Sequence, residues 1–425
     1  MNDDTPQVKI DGYIGYEIVP HSVKHVRFHP SVVKVNVAAF ENCTELVEVI
    51  LNDGLREIAF RALGYCASLQ EINIPSTVTK IGDFAFFKCT NLKKVVLKEG
   101  LTEIGYRAFA CCESLQSINI PSTVTEIGTE VFWDCTKLGE VVLNEGLKKI
   151  GSSAFSDCIS LTSINIPLTV TDIGQGAFTG CTNLQTVVLN EELKTIRLYT
   201  FNECTSLQSI TIPSTVDDIG ACAFCRCTNL RRVEFNNETK IKRIGCSAFE
   251  KCTSLERITI PYTVIEIVDS AFRGCGSLRE IDILNDEIQI RETSFSGCPS
   301  LERFKFPRLF TRLNNIIQAG QRGIEAKMDD IPTVEWRDGE LVIPAVVREI
   351  ENHWAKLLIE VDKEKLDKIV RLIRHYEIKE ATTLFELALW KTRIDQTDTS
   401  NPSSRDSCRV DVPGPVKDTI LQYLR

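Results

Sequence analysis

The stretch LQSINIPSTVTEIGTEVFWDC, residues 115–135, carries the pattern that decides the fold of this chain. Ile118 and Ile120 stand two residues apart, which is the spacing of a short strand with one buried face. Pro121 ends this strand because proline cannot donate a ladder hydrogen bond. A second short extended piece then ends at an Ile-Gly pair, and we expect the residues around Phe132 to form a tight helical turn.

The same pattern recurs through most of the sequence at intervals of 23 residues, which indicates a repeat protein. One interval, from Phe224 to Phe249, has two extra residues around Asn236 and Asn237. Each anchor is followed by a cysteine three residues later and by a leucine six residues later. The anchors are Phe40, Leu63, Phe86, Phe109, Phe132, Phe155, Phe178, Phe201, Phe224, Phe249, Phe272 and Phe295.

A single repeat has several apolar side chains and no second layer that could bury them. Stacked coils solve this problem, since each coil buries its apolar residues against the same positions of its neighbours. We therefore predict an α/β-type repeat solenoid, β-dominated, with right-handed coils and parallel β ladders. The predicted organisation is a degenerate N-terminal cap over residues 1–25, twelve coils over 26–307 and an α-rich C-terminal cap over 308–425. The position after the first strand of each coil is proline in alternate coils and mostly asparagine in the coils between them. The repeat unit is therefore either one coil of 23 residues or a pair of coils.

The pattern LxxIxIPxxVxxIGxxAFxxC resembles the BspA-type leucine-rich repeat. This resemblance covers about residues 26–307 and implies a solenoid with adhesive, cell-surface or other protein-binding roles. The secreted bacterial members carry export signals, and this sequence begins with none. Two tail segments, residues 377–391 and 408–424, look like the shared tail of intracellular microalgal repeat proteins.

The tail, residues 308–425, lacks the 23-residue pattern of the repeats. Helices are predicted over 312–328, 345–360, from Asp362 onward and over 383–394 because apolar residues recur there at helical spacing. The Asp338-Gly339 pair stands between two arms of alternating apolar residues and predicts a β-hairpin. We interpret this tail as a cap, with partner binding as the alternative.

Composition narrows the functional classes. A net charge of −9 makes nucleic acid an unfavourable partner, and no apolar run is long enough for a membrane span. Without a secretory signal, the expected location is the cytoplasm, with the nucleus left open. No phosphate-binding loop, Rossmann fingerprint, HExxH or GxSxG motif is present, so we expect no enzyme activity and no cofactor.

The 17 cysteines fall into two groups. Twelve occupy the repeat position after the anchors, where a small hydrophobic residue fits, and these are predicted to be buried free thiols. Of the other five, Cys222 and Cys225 form a CxxC pair, and Cys246 occupies nearly the same place one coil later. A metal or thiol redox module therefore remains an alternative hypothesis. Zinc would need a fourth ligand, so no metal site is assigned. His21, His25 and His29 share one strand face but lie too far apart to bind one ion.

Outward residues of the first strand form a surface running through all coils. The middle coils present polar uncharged residues there, and the later coils present charged residues. Our hypothesis is a protein-interaction scaffold that binds a protein partner through this surface, with charge supplying the specificity. A surface that serves only solubility, an adhesin-like role and a weaker carbohydrate-binding role are the alternatives. The residues predicted to contact a partner are Arg231, Arg232, Glu234, Glu256, Arg257, Arg279, Glu280 and Asp282.

Overall fold

The computed structural model describes residues 9–15, 19–236, 238–285, 287–291 and 293–305, together with three strands of the tail. The chain divides into two units, one formed mainly by residues 1–302 and the other mainly by the residues after them. The first unit is a parallel β-solenoid of twelve coils, numbered here by their anchors from Phe40 in coil 1 to Phe295 in coil 12. Each coil contributes one strand to a first ladder, one strand to a second ladder, and a turn layer around its anchor.

The strands of the first ladder are three or four residues long. They are preceded by β1 (Lys9–Tyr13), and in coil order they are β2 (His25–Phe28), β4 (Glu48–Ile50), β6 (Glu71–Asn73), β8 (Lys94–Val96), β10 (Ser117–Ile120), β12 (Glu140–Leu143), β14 (Ser163–Asn165), β16 (Thr186–Val188), β18 (Ser209–Ile212), β20 (Arg232–Phe235), β22 (Arg257–Ile260) and β24 (Glu280–Ile283).

The strands of the second ladder are two residues long, one outward and one buried. In coil order they are β3 (Lys34–Val35), β5 (Glu57–Ile58), β7 (Lys80–Ile81), β9 (Glu103–Ile104), β11 (Glu126–Ile127), β13 (Lys149–Ile150), β15 (Asp172–Ile173), β17 (Thr195–Ile196), β19 (Asp218–Ile219), β21 (Arg243–Ile244), β23 (Glu266–Ile267) and β25 (Gln289–Ile290).

The register between coils places each residue on its counterpart. Ile118 pairs with Val141 in the first ladder, and Ile127 pairs with Ile150 in the second, in each case 23 positions apart. The two extra residues at 236–237 fall between β20 and β21, so Asp218 pairs with Arg243 at a distance of 25 positions. The register therefore survives the insertion, and the extra residues are accommodated in the loop between the two ladders.

The core is a set of side-chain columns, as the repeat predicts. From Phe86 to Phe295 the anchor rings stack with centroids 5.0 to 5.7 Å apart and planes inclined by 3 to 13°. Parallel strands are spaced by about 4.8 Å, so rings this far apart are stacked with an offset, which is a favourable aromatic geometry. Leu63 interrupts this column, and Tyr13 extends it below coil 1 by contacting Phe40 at 5.0 Å.

The cysteine column is buried, and each thiol has a defined role. From Cys66 to Cys298 each Sγ donates to the carbonyl oxygen of the previous coil's anchor, at 3.0 to 3.2 Å. In coil 1 the Phe40 carbonyl also accepts the N–H of Cys43 at 3.1 Å. The thiol thus fills space between two larger columns and adds a weak bond between coils. The prediction of buried free thiols is confirmed for this column.

The helical turn predicted around each anchor is wrong, because the described part of the chain contains no helix. The residues two before and two after the anchor adopt left-handed backbone angles, with φ of 56° at both Phe84 and Lys88. In this coil the N–H groups of Phe84, Phe86 and Lys88 donate to carbonyls of the next coil at 2.7 to 2.9 Å. An α-helix would keep those N–H groups inside the coil, so hydrogen bonding between coils decides the conformation.

In seven coils a glycine follows the second-ladder isoleucine and allows coils to approach closely. A Cβ on Gly151 would lie 2.5 Å from the carbonyl carbon of Gly128 in the preceding coil. Neither glycine has a positive φ, so the requirement here is space between backbones and not left-handed geometry.

The alternation of proline and asparagine has a physical basis. The side-chain amide of Asn190 donates to the carbonyls of Pro167 and Val170 in the preceding coil. Conversely, the Glu99 carboxylate accepts the backbone N–H groups of Ser122 and Thr123 in the following coil, at 3.1 and 3.2 Å. Hydrogen bonding to the Ser122 N–H lowers the pKa of Glu99. Coils with a proline turn therefore alternate with coils whose side chains hydrogen-bond to the backbone of that turn. This alternation accounts for a repeat unit of two coils.

The residues after 302 are described through their strands. β27 (Glu335–Arg337) and β28 (Glu340–Arg348) pair antiparallel around Asp338-Gly339, which confirms the predicted hairpin. β28 also pairs antiparallel with β26 (Arg303–Lys305). The helix predicted over 345–360 is wrong at both ends, since β28 continues to Arg348 and β29 spans Leu358–Val361. β-branched residues at these ends favour strands. The other predicted tail helices and the microalgal-like segments lie outside the described residues.

Replacing Phe178 tests the stacked column. Phe178→Ala is expected to lower the free energy of unfolding by about 3–5 kcal/mol, since it removes a fully buried ring and leaves a cavity. Phe178→Leu should cost under about 1.5 kcal/mol, because leucine occupies this position naturally at Leu63. Urea unfolding of the full-length protein measures both. Equal losses for alanine and leucine would contradict the cavity argument.

Replacing Ser153, two residues before its anchor with φ of 51°, tests the left-handed turn. Ser153→Val is expected to destabilise the protein by about 1–2 kcal/mol because a β-branched residue is strained there. Ser153→Gly should be close to neutral, since glycine adopts this conformation without strain. Thermal unfolding distinguishes them, and a valine variant as stable as the glycine variant would count against the assigned backbone geometry.

Candidate functional site

The outward residues of the first ladder form one continuous surface, called here the strand face. Along each strand outward residues alternate with buried ones, as in β10, where Ser117 and Asn119 are exposed and Ile118 and Ile120 are buried. Parallel pairing brings equivalent residues of successive coils into adjacent positions. The strand face is therefore a set of columns whose chemistry can change from coil to coil.

The eight residues predicted to contact a partner all belong to coils 10, 11 and 12. The structure brings them together on the strand face, but it does not expose them equally. Glu280 is only 6% exposed, and Asp282 is half-buried. The six exposed residues are Arg231, Arg232, Glu234, Glu256, Arg257 and Arg279.

Some of these charges are paired with each other. Arg257 lies opposite Glu280 in register, and its guanidinium nitrogen is 3.3 Å from the Glu280 carboxylate. Arg232 pairs with Glu234 on the same strand at 3.3 Å. Exposed ion pairs contribute about 0–1 kcal/mol to stability, so the contact between Arg232 and Glu234 mainly fixes the positions of these two charges. Arg231 and Arg279 form no ion pair within the described part of the chain, and their charges are directed to solvent.

A cleft of about 560 Å³ opens beside these charges where coil 10 carries the two-residue insertion. Its apolar wall includes Phe235, Pro261, Tyr262 and Leu284. Tyr262 is 51% exposed, which is unusual for a ring of this size in the solenoid. Glu234 of the strand face lines the same cleft. The insertion thus places an apolar recess next to a charged surface, a relation that sequence reasoning missed.

The second ladder presents a different kind of surface. Its outward column contains cross-coil ion pairs such as Lys80–Glu103 at 2.8 Å and Lys149–Glu126 at 2.7 Å. Arg197–Asp172 and Arg291–Glu266 continue the column at 2.9 and 2.7 Å. These residues neutralise one another, so this face supports coil stacking more than it offers charge to a partner.

A cluster of aromatic side chains covers the turn layer of coils 2 to 5, outside the core. The Phe84 ring packs edge-on against Phe87 and Tyr106, with centroids 5.3 and 5.2 Å away. The Arg107 guanidinium lies between the rings of Tyr106 and Trp133, 5.1 and 5.0 Å from their centroids. Aligning the coils on their anchors would have revealed this cluster, because coils 2 to 5 are four successive coils that each carry one or two aromatic residues at turn positions. Its six members are Phe60, Tyr65, Phe84, Phe87, Tyr106 and Trp133.

Three carboxylates lie beside the aromatic cluster in coils 4 to 6. Asp134 is half-buried, and burial raises its pKa, with further increases from the charges of Glu113 and Asp157. The Trp133 indole N–H donates to the Asp157 carboxylate at 3.2 Å. The Asp134 carboxylate thus sits where its ionised form is disfavoured.

The thiols outside the cysteine column differ in exposure. Cys246 is exposed, Cys222 is half-buried and Cys225 is buried. Burial raises the pKa of Cys225 to about 12. Among the described residues, no group of three or more His, Cys, Asp or Glu side chains is arranged to hold a metal ion.

The histidines near the N-terminus do not converge. His25 lies in β2 with its ring nitrogen 3.2 Å from the Glu48 carboxylate, while the His29 ring contacts the Ser31 hydroxyl at 2.7 Å. Each therefore has its own polar neighbour on the surface.

Comparison with known proteins agrees with this architecture. The model of the BspA type leucine-rich repeat region matches in six copies, over residues 19–139, 134–242 and 227–320, which is more than half of the sequence. The chain belongs to the BspA type leucine-rich repeat family. This family assignment and the parallel coils together establish the leucine-rich-repeat solenoid expected from the sequence.

Solved structures of bacterial leucine-rich repeat proteins resemble this member of the family. A leucine-rich repeat protein from Bacteroides ovatus is 28% identical with a TM-score of 0.58, over 69% of this chain and 82% of that one. A leucine-rich cell surface protein from Faecalibacterium prausnitzii is 28% identical with a TM-score of 0.44, over 71% and 88%. A leucine-rich repeat protein from Eubacterium ventriosum is 20% identical with a TM-score of 0.41, over 63% and 88%.

Comparison with curated proteins gives no match. Within the described residues, no helix has the length and apolar character needed to cross a membrane.

Replacing Asp134 by asparagine tests the electrostatics beside the aromatic cluster. A carboxyl group whose folded pKa is raised favours the folded state at low pH, and this contribution is lost as the pH rises through the folded pKa. Asp134→Asn is therefore expected to stabilise the protein at pH 7, with a gain that shrinks as the pH falls toward 4. Urea unfolding across this pH range measures the difference, and a gain that grows on acidification would contradict the assignment.

Proposed function

We propose that this protein is a non-enzymatic scaffold that binds a protein partner through the strand face of coils 10 to 12. The observation that carries the proposal is the juxtaposition of solvent-directed arginines with an apolar cleft in the same coils. Binding energy at protein interfaces is concentrated in aromatic and arginine side chains near a well-packed recess. Tyr262 and the neighbouring arginines supply those residue types.

The charge arrangement favours a partner with an acidic segment beside an apolar side chain. Arg231 and Arg279 flank coil 11 from either side along the strand face. Their charges are not neutralised by ion pairs within the described residues, whereas Arg257 is held by Glu280. An acidic segment would meet the two arginines, and an apolar side chain of the partner would enter the cleft at Tyr262. Complementary charge of this kind raises the association rate and excludes partners of the wrong sign.

Charge reversal on the strand face tests the proposal. Full-length protein is used to capture partners from extract of its own cell, and the candidate is then purified for titration. Arg231→Glu combined with Arg279→Glu is expected to weaken binding by at least roughly tenfold, mainly by repelling the acidic segment. Lys194→Glu combined with Lys242→Glu is the matched control, because both lysines are exposed and lie beside strands of the second ladder. This control should stay within about twofold of the unmodified protein.

The cleft is tested separately with Tyr262→Ala. Loss of affinity in this variant, with the double-lysine control unchanged, locates the contact at coils 10 to 12. Unchanged affinity in both the arginine and the tyrosine variants would refute a contact at this part of the strand face.

A further inference from the structure

Three cysteines outside the buried column meet on the turn layer at coils 9 and 10. Cys222 stands two residues before its anchor, Phe224, and Cys225 stands one residue after it. Cys246 stands three residues before the next anchor, Phe249. These positions face outward or sit just beneath the surface, in contrast to the twelve thiols of the core column.

The same three positions in coils 3 and 4 are occupied by members of the aromatic cluster, which shows how close such side chains are. Phe84 corresponds to Cys222, Phe87 to Cys225 and Tyr106 to Cys246. The Phe84 ring contacts both of the others, with centroids 5.3 and 5.2 Å apart. Side chains at the first and third positions therefore meet across the boundary between coils 3 and 4.

The backbone confirms this equivalence despite the insertion in coil 10. The Phe84 N–H donates to the Tyr106 carbonyl at 2.8 Å, and the Cys222 N–H donates to the Cys246 carbonyl at 2.9 Å. This hydrogen bond makes the two cysteines direct backbone neighbours in adjacent coils, whose in-register backbones are spaced by about 4.8 Å. Cα atoms joined by a disulfide lie roughly 4.4–6.8 Å apart, so a disulfide needs residues that are neighbours of this kind.

Exposure separates the three thiols. Cys246 is open to solvent and Cys222 is partly open, whereas Cys225 is buried. Burial raises the pKa of Cys222, an effect that the neighbouring Tyr199 hydroxyl partly offsets. An oxidant in solution therefore meets Cys246 first, and Cys222 is the neighbouring thiol that can respond.

We propose that Cys246 and Cys222 form a reversible disulfide between coils 10 and 9 when the protein meets a two-electron oxidant of the peroxide class. The Cys246 thiolate attacks one peroxide oxygen, which breaks the O–O bond, gives a sulfenic acid and releases hydroxide. The Cys222 sulfur then attacks the Cys246 sulfur, the S–O bond breaks, and the Cys222 proton leaves with the hydroxyl group as water. The two thiols lose two electrons in total and the peroxide gains them.

This bond would close a loop that contains β20 and the two-residue insertion. The loop also carries Arg231, Arg232 and Glu234 of the strand face. Closing it would join coil 10, which carries the two-residue insertion, covalently to coil 9, and reduction would break that link. The inference rests on the turn layer alone, so it stands or falls independently of partner binding by the strand face.

The test uses full-length protein that is first reduced, then freed of reductant and treated with a small molar excess of hydrogen peroxide. Remaining thiols are blocked, and tryptic peptides are mapped by mass spectrometry without reduction. The expected product joins residues 244–251 to residues 198–226, with a mass two hydrogens below the sum of the two peptides. Fragmentation should assign the bond to Cys222, and treatment with a thiol reductant should remove it.

Single serine variants assign the participants. Cys246→Ser and Cys222→Ser are each expected to abolish the linked peptide, while Cys225→Ser should retain it as the matched control. Circular dichroism of each variant verifies that the solenoid is intact, and the exposed Cys246→Ser change alone suffices if Cys222→Ser fails to fold. A bond between Cys222 and Cys225, a dimer linked through Cys246, or a stable sulfenic acid at Cys246 would each overturn the proposal.

Discussion

Hydrogen bonding between successive coils fixes their spacing, and the rest of the structure depends on that constraint. At about 4.8 Å per coil every side chain lies directly against its counterpart in the next coil. Only shapes that stack on themselves can then fill the core. Flat rings meet this condition with an offset, as Phe155 and Phe178 do at 5.5 Å and 4°. The glycines at 128 and 151 meet it by offering no side chain at all.

The same constraint governs the surface, where stacking identical charges would be unfavourable. The second ladder places opposite charges side by side at several coil boundaries, as in the contact between Lys34 and Glu57 at 3.0 Å. On the strand face, Arg257 and Glu280 follow the same rule across coils 11 and 12. Like charges in adjacent positions destabilise a sheet, so a column of one sign would need a partner to neutralise it. Arg231 and Arg279, which form no ion pair within the described residues, are the most informative residues on the strand face.

The sequence was sufficient for the ladders and the core, because a 23-residue period carries both strand alternation and the in-phase anchors. It was not sufficient for the turn layer. Positions such as Lys88 and Cys111 have left-handed angles without being glycine or asparagine, so no local preference reveals them. Bonds to the next coil override that preference. The burial of Glu280 was also missed, since outward alternation predicts exposure for every such residue alike. The cleft at Tyr262 depends on an insertion whose effect on shape has no periodic signature.

Stacking of equivalent side chains explains the residues that follow the repeat but not those that depart from it. Two kinds of departure occur in coils 9 to 11. One is the insertion with its cleft, and the other is the replacement of ordinary turn residues by Cys222, Cys225 and Cys246. In a solenoid each coil contacts mainly its neighbours, so local changes are accommodated without disturbing distant coils. The aromatic cluster of coils 2 to 5 uses the same outer positions for cation–π packing. A single backbone plan thus holds aromatic rings in one region and thiols in another, and these differences between coils are where specific chemistry can arise.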